Sequence, residues 1–163
     1  MKRISTFSNT IFSLVLLILN VFPVWTEKTF FDIMDRQCGK TILLTSLPTK
    51  SLVLVLTEQT EYAPLFDWYV TVTVPEGARI SLGFLEMDIR SFGACPGDFL
   101  TIIDSQQITE DSFHFQDPSM RRYCGAQTPQ SLTSTGNNIT IRFVSDHIIS
   151  GRGFSLLLTA FHE

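Results

Sequence analysis

The strongest constraint on the fold is a two-residue alternation of apolar and polar side chains that recurs along the chain. In residues 67–74, one set of alternating positions is apolar and branched or aromatic: Trp68, Val70, Val72 and Val74. Successive side chains of a β-strand point to opposite faces, so this period indicates a strand with one buried face. Similar patterns occur at 80–84, 99–103, 139–144 and 154–161, and short apolar runs at 41–44 and 52–56 suit buried strands.

No stretch of ten or more residues has a persuasive helical period, and Gly, Pro and Asn separate the strand-like runs. Many short strands with regular turns predict an all-β fold, a two-sheet antiparallel sandwich. Residues 105–120 are polar with scattered aromatic residues, and we predict a long surface loop there with a short strand near 113–115.

The first 26 residues have the pattern of a secretory signal peptide. Lys2 and Arg3 precede an apolar run from Ile11 to Val21, and Pro23 ends that run. The run is short for a bilayer span, which takes about 20 apolar residues. We therefore predict cleavage near Thr26 and secretion, with an uncleaved membrane anchor as the alternative.

The charge balance disfavours nucleic acids and anionic membranes as partners. Cleavage would remove two of the 12 basic residues and none of the 16 acidic ones, so the formal charge would change from −4 to −6. An acidic protein is a poor ligand for nucleic acid or an anionic membrane. No second long apolar segment follows, so we predict that the mature chain does not insert into a membrane.

The chain contains three cysteines, Cys38, Cys95 and Cys124. Secretion favours disulfide bonds, and an odd number leaves one thiol over.

Six short motifs, in this order, resemble those of the CUB domain family. They are Cys38-Gly39, Trp68, Cys95-x-x-Asp98-x-Leu100-x-Ile102, Tyr123-Cys124-Gly125, Phe143-x-Ser145-Asp146 and Gly153-Phe154. The resemblance implies an antiparallel jelly-roll β-sandwich. The resemblance covers a CUB domain at 38–161, which leaves an N-terminal segment at 27–37 after the signal peptide predicted at 1–26.

The resemblance implies a disulfide bond between Cys95 and Cys124, and it leaves Cys38 without its usual partner. The family places that second cysteine two residues before the tryptophan, where this chain has Phe66. Three interpretations of Cys38 remain. It is a buried free thiol, it forms an intermolecular disulfide, or it pairs with Cys95 or Cys124 in an arrangement unlike the family's.

A second departure concerns the Ser-Pro-x-Tyr-Pro stretch that often follows the first strand of the family. Only faint echoes of it are present, at Ser46-Leu-Pro48 and Tyr62-Ala-Pro64.

The resemblance also raises the question of calcium. Many CUB domains bind the ion with a glutamate five residues before the third cysteine, the aspartate of Cys-x-x-Asp, and an aspartate followed two residues later by serine. The two aspartates are present as Asp98 and Asp146, but Arg90 stands at the glutamate position and Ile148 at the serine position. A calcium ion needs six to eight oxygen ligands, several of them anionic.

We predict that Arg90 replaces the ion, because a guanidinium can fork to two carboxylates, Asp98 and Asp146, and relieve their repulsion. Two alternatives remain. The three charges could be separately solvated, or Glu86 and Asp88 could help to assemble a weaker calcium site. No metal or other cofactor is expected otherwise.

Asn138-Ile-Thr140 is a sequon for N-glycosylation in a secreted chain. We predict a glycan on Asn138. The alternative is an unmodified asparagine in a turn.

Catalysis has little support, since the chain has no Gly-x-Ser-x-Gly or His-Glu-x-x-His motif. The resemblance implies a secreted single-CUB binding protein, similar to spermadhesins, that recognises an extracellular protein or a neutral glycan. The alternative is a dimeric ligand for a cell-surface receptor, linked through Cys38. Because sandwich folds usually bind through loops, we expect the site near Arg90, Asp98 and Asp146.

Overall fold

Two five-stranded sheets form the framework of residues 30–47, 49–104, 121–148 and 151–162, the parts of the chain that the computed structural model describes. The strands are β1 (Phe30–Ile33), β2 (Thr41–Leu43), β3 (Ser51–Val55), β4 (Asp67–Thr73), β5 (Ala78–Asp88), β6 (Phe99–Ile103), β7 (Arg122–Tyr123), β8 (Leu132–Thr133), β9 (Asn138–Val144) and β10 (Gly153–His162). A four-residue helix, α1 (Met34–Gln37), and a 3-10 turn (Leu44–Ser46) flank β2.

The predicted β-sandwich is confirmed. The first sheet has the order β1-β3-β10-β5-β8, and the second has the order β2-β4-β9-β6-β7. All seven strands expected from the alternating and apolar runs are present. The short strands β1, β7 and β8 were not predicted. The signal peptide at 1–26 and the predicted loop at 105–120 lie outside the described residues.

Both N-terminal strands pair in parallel, which the antiparallel prediction did not include. β1 runs parallel to β3 at the edge of the first sheet, and β2 runs parallel to β4 at the edge of the second. The other pairings are antiparallel. A parallel pair needs a long crossover connection, and between β1 and β3 that connection contains α1 and β2.

The alternation seen in the sequence is what builds the core. The apolar set of each long strand faces the other sheet and is almost fully buried, as in Leu54 of β3, Val72 of β4, Ile141 of β9 and Leu156 of β10. Burial of each such side chain contributes about 1.5–3 kcal/mol relative to exposure. The core therefore fixes the register of the strands, and with it the positions of the loops that join them.

Several loops meet at one end of the sandwich because of this register. The first residue of β4, Asp67, and the first residue of β6, Phe99, both pair with Val144, the last residue of β9. In the other sheet, the last residue of β5 pairs with the first residue of β10. The loops 56–66 and 89–98 and the described residues 145–148 and 151–152 consequently lie together at this end.

Candidate functional site

An arginine lies between two aspartates where these loops meet. The Nε of Arg90 is 3.2 Å from Oδ2 of Asp98, and its Nη2 is 3.4 Å from Oδ1 of the same carboxylate. The same Nη2 also donates to Oδ2 of Asp146. The Asp98 side chain is fully buried, Arg90 is largely buried and Asp146 is partly exposed. One guanidinium thus pairs with both carboxylates and offsets part of their charge.

Tyr62 completes this arrangement, and the sequence analysis did not identify it. Its hydroxyl donates to Oδ2 of Asp98 at 2.6 Å and accepts from the backbone N–H of Arg90 at 3.1 Å. The side chain is fully buried, and its ring meets Phe143 edge-to-face at 5.0 Å. The available signal was the echo Tyr62-Ala-Pro64, which was noted only as a departure from the family pattern. We call Tyr62, Arg90, Asp98 and Asp146 the charged corner.

Backbone donors bind the remaining carboxylate oxygens. The N–H of Asp146 donates to Oδ1 of Asp98 at 2.8 Å, and the N–H of Ile148 donates to Oδ1 of Asp146 at 2.8 Å. All four carboxylate oxygens of the charged corner therefore have a hydrogen-bond donor. The contact at Ile148 uses only its backbone, so replacing the family's serine with isoleucine does not remove it.

A glycine allows the loop to approach the ion pair closely. A Cβ atom on Gly97 would lie 2.6 Å from Oδ2 of Asp146 and 3.4 Å from Nη2 of Arg90. The first distance is well inside van der Waals contact, so a larger residue at this position would displace the carboxylate from the guanidinium.

Hydrogen bonds shift the pKa values of Asp146 and Arg90 in favour of their charged forms. The pKa of Asp146 is lowered, first by the backbone N–H of Ile148 and then by Arg90, while burial opposes the shift. The pKa of Arg90 is raised by its hydrogen bonds to Asp98 and Asp146, again against burial. The ion pair is therefore fully charged near neutral pH.

A disulfide bond fixes the loop that carries Arg90 and Asp98. The predicted pair Cys95–Cys124 is confirmed, with an S–S distance of 2.08 Å. Ile89 and Gly125 also exchange backbone hydrogen bonds of 3.1 and 2.7 Å. The loop 89–98 is thereby attached at Ile89 and Cys95 to residues 124–125, which directly follow β7.

A family comparison agrees with these features. The model of the CUB domain matches residues 38–157, which is well over half of the chain. The chain belongs to the CUB domain family.

Several curated proteins are similar in sequence to part of this chain. Similar proteins include mouse Tolloid-like protein 2 (29% identical, 78% of this chain and 12% of the relative). Others are human tumor necrosis factor-inducible gene 6 protein (34%, 56% and 31%) and human procollagen C-endopeptidase enhancer 1 (33%, 58% and 20%). The chain thus spans less than a third of the length of these relatives.

Solved structures support the fold alone. The CUB2 domain of MASP-1 bound to Ca²⁺ matches with a TM-score of 0.58 at 19% identity, over 75% of this chain and 98% of that domain. The extracellular region of zebrafish Gpr126/Adgrg6 matches with a TM-score of 0.61 at 17% identity, over 78% of this chain and 15% of that one.

The residues of the charged corner do not fit a calcium ion. Calcium needs six to eight oxygen ligands, yet the carboxylate oxygens of Asp98 and Asp146 are already bonded, and the guanidinium of Arg90 lies between them. Asp88 pairs with Arg152 at 3.3 Å. Together with Glu86, these two residues line a separate cleft. Within the described ranges, no group of three or more His, Cys, Asp or Glu side chains is placed to hold a metal.

The structure contradicts two of the three interpretations of Cys38. It is exposed, so the prediction of a buried thiol is wrong, and pairing with Cys95 or Cys124 is excluded because these two bind each other. Cys38 directly follows α1 and lies next to β2, the edge strand of the second sheet. At the family's second-cysteine position, Phe66 instead packs edge-to-face on Trp68 at 4.0 Å.

Asn138 opens β9 and is partly exposed, and its amide donates to Oδ1 of Asn137 at 2.9 Å. Thr140 of the sequon is fully buried beside Thr71. Glycosylation of Asn138 stays a prediction. Within the described residues, no helix is long and apolar enough to cross a membrane.

Proposed function

We propose that this CUB domain binds another extracellular protein, or a neutral glycan, through the charged corner and without calcium. The observation that carries the proposal is the position of Arg90, whose guanidinium occupies the space between Asp98 and Asp146 and satisfies both. CUB domains are non-catalytic binding modules of extracellular proteins, which agrees with a binding function.

An internal cation gives such a site a specific property. Three loops are joined at the charged corner by direct hydrogen bonds, from Tyr62 in the first, Arg90 in the second and Asp146 in the third. A calcium-dependent site loses its geometry when the ion leaves, whereas this arrangement needs no ligand from solution. Binding is therefore expected to be insensitive to calcium concentration.

Secretion is part of the proposal and rests on the predicted signal peptide at 1–26 and on the Cys95–Cys124 bond, which is typical of oxidising compartments. We also infer that the protein is not an enzyme, because a catalytic site needs a nucleophile, a base and a group that orients them. In the charged corner, the carboxylates of Asp98 and Asp146 are both paired with Arg90.

Calorimetric titration with calcium tests the metal-free site. We expect no heat of binding up to millimolar calcium for the natural chain. The matched variant is R90E/I148S, which restores the glutamate and serine positions of calcium-binding relatives and should gain binding. Micromolar calcium binding by the natural chain would show that Arg90 does not replace the ion.

Screening the mature chain against arrays of secreted ectodomains and of neutral glycans tests the binding function itself. We expect at least one ligand whose binding is unchanged by a calcium chelator and weakened in Asp146→Ala. A ligand bound equally by a correctly folded Asp146→Ala variant would place the site elsewhere. Failure to bind anything on either array would contradict the proposal.

The exposure of Cys38 supports a second candidate, a disulfide-linked dimer that acts as a ligand for a cell-surface receptor. Electrophoresis of the secreted protein without reductant separates the two. A dimer band that is lost in Cys38→Ser favours the second candidate, and a monomer band at every loading excludes it.

A further inference from the structure

The two most exposed large apolar side chains in the described part of the sequence both lie beside the charged corner. Leu65 is 76% exposed and Phe92 is 69% exposed, and Ile148, at 45%, is a third. We call these three residues the apolar patch. Single exposed apolar side chains are common on protein surfaces, but several around one polar site indicate a contact surface.

Each member of the apolar patch is attached directly to the ion pair. The backbone N–H of Leu65 donates to the carbonyl oxygen of Asp146 at 2.6 Å, and the N–H of Ile148 donates to the side chain of Asp146 at 2.8 Å. The guanidinium of Arg90 lies 5.2 Å from the ring centroid of Phe92. Contacts with Arg90 or Asp146 therefore hold all three apolar residues beside the charged corner, where their side chains are exposed.

The backbone at Leu65 shows that this exposure is imposed by the fold. Its φ is +60°, a left-handed conformation that a side chain with a Cβ rarely adopts. Such conformations persist only where surrounding contacts enforce them, and they are concentrated at functional sites. Here the enforcing contact is the hydrogen bond to Asp146, so the exposed leucine and the charged corner form one structural unit.

In the described loops around the apolar patch, the charges that reach solvent are predominantly acidic, and the exposed Arg152 is paired with Asp88. Arg90 and Arg142 are largely buried in ion pairs, with Asp146 and Asp67 respectively. Their acidic partners are the exposed members: Asp146 is partly exposed, and nearly half of Asp67 is accessible. Glu61, in the same loop as Leu65, is also exposed. A partner that covers the patch would thus meet carboxylates at its rim.

We propose that the apolar patch is the contact centre of the binding site, and that its occupant is a protein segment with a large apolar or aromatic side chain flanked by lysine or arginine. The apolar side chain would pack among Leu65, Phe92 and Ile148, and the flanking cations would pair with the carboxylates at the rim. Such a centre of large side chains with a polar rim is the usual arrangement of interface hot spots. This inference rests on the proposed function and narrows the partner to a protein.

Selection from a phage-displayed library of random 12-residue peptides tests the chemistry of the occupant, with the mature chain as bait. We expect enrichment of peptides that combine a large apolar residue with neighbouring lysine or arginine. Their affinity should fall at least tenfold in L65S/F92S/I148S and should weaken as salt is raised, because the rim contacts are electrostatic. Enrichment of acidic or purely polar peptides, or no enrichment, would overturn the proposal.

The matched control is F31S/L43S/L85S, which removes three apolar side chains that are exposed to a similar degree, at 58%, 44% and 49%, and lie outside the charged corner. It should bind the peptides within twofold of the natural chain, and equal losses in both variants would refute a specific patch. Sedimentation of both proteins checks for a second copy as occupant. If the natural chain dimerises and L65S/F92S/I148S abolishes the dimer, the occupant of the patch is a second copy of this chain, and the proposal of a basic segment is wrong.

The ectodomain and glycan arrays distinguish this inference from the function on which it rests. An ectodomain that binds L65S/F92S/I148S as tightly as the natural chain, but binds Asp146→Ala weakly, would refute the apolar patch and leave the binding function intact. Absence of any ligand on either array would refute the function itself.

Discussion

Replacing Tyr62 with phenylalanine tests whether the charged corner is a cooperative unit of the fold. The change removes only the hydroxyl, which donates to Asp98 at 2.6 Å and accepts from the N–H of Arg90 at 3.1 Å. The phenylalanine ring retains the edge-to-face packing on Phe143. The loss of stability therefore reports on two buried hydrogen bonds and not on a cavity.

Both contacts contribute to the expected magnitude. A buried hydrogen bond to a charged group contributes about 1.5–3 kcal/mol, and a buried N–H left without its acceptor costs about 1–3 kcal/mol. Asp98 keeps Arg90 and the N–H of Asp146 as partners, so the lower halves of these ranges apply. We expect Tyr62→Phe to lower the free energy of unfolding by about 3 kcal/mol, and Tm by about 10 °C for a domain of this size.

Urea unfolding followed by tryptophan fluorescence measures this change, with an unchanged m-value as the check that the native state is intact. Tyr123→Phe is the matched control. Tyr123 is also buried, but its hydroxyl forms no hydrogen bond with the described residues. The Tyr123→Phe variant should therefore lose less than about 0.5 kcal/mol of unfolding free energy. A loss below about 1 kcal/mol in Tyr62→Phe, or equal losses in both variants, would refute the reasoning.

Two further predictions concern the ion pair and the unpaired cysteine. The folded-state pKa of Asp146 is lowered, so its contribution to stability should be complete above the unfolded-state pKa of about 3.9 and should disappear at lower pH. The difference in unfolding free energy between the natural chain and Asp146→Asn should accordingly be constant from pH 8 to about 5 and should shrink below about 4; a constant difference down to pH 2 would contradict this. Phe66→Cys should form a disulfide with Cys38, since Gly39 donates to the carbonyl oxygen of Tyr69 and so places Cys38 near the start of β4. Titration of the unfolded monomer with a thiol reagent should find no free thiol, and two free thiols would count against the pairing.

The sequence predicted the inner strands well because their side chains alternate and each buries one face. In β1 the residues read Phe-Phe-Asp-Ile, without alternation, and two of them are exposed at the sheet edge. Its parallel pairing with β3 depends on the path of the chain through α1 and β2, which local patterns do not record.

The charged corner was predicted in part. Asp98, Asp146 and the substitution at Arg90 came from the resemblance, because these residues belong to recognisable motifs. Tyr62 lies 28 residues before Arg90 and contacts it only through the folded loops, so no spacing in the sequence marked it. A buried thiol was one of three interpretations of Cys38 because free cysteines are often buried, but its position after α1 at a sheet edge leaves it exposed.

The two parallel edge strands have a consequence for how this domain can be isolated. β1 lies at the edge of one sheet and β2 at the edge of the other, and α1 joins them with the fully buried Met34 in its first turn. The N-terminal residues therefore connect the edges of the two sheets along one side of the sandwich. A recombinant domain that starts at Cys38, where the family match begins, would lack β1 and α1. It would expose the backbone edge of β3 to pairing with other molecules, so we expect a stable recombinant domain to include β1, from Phe30.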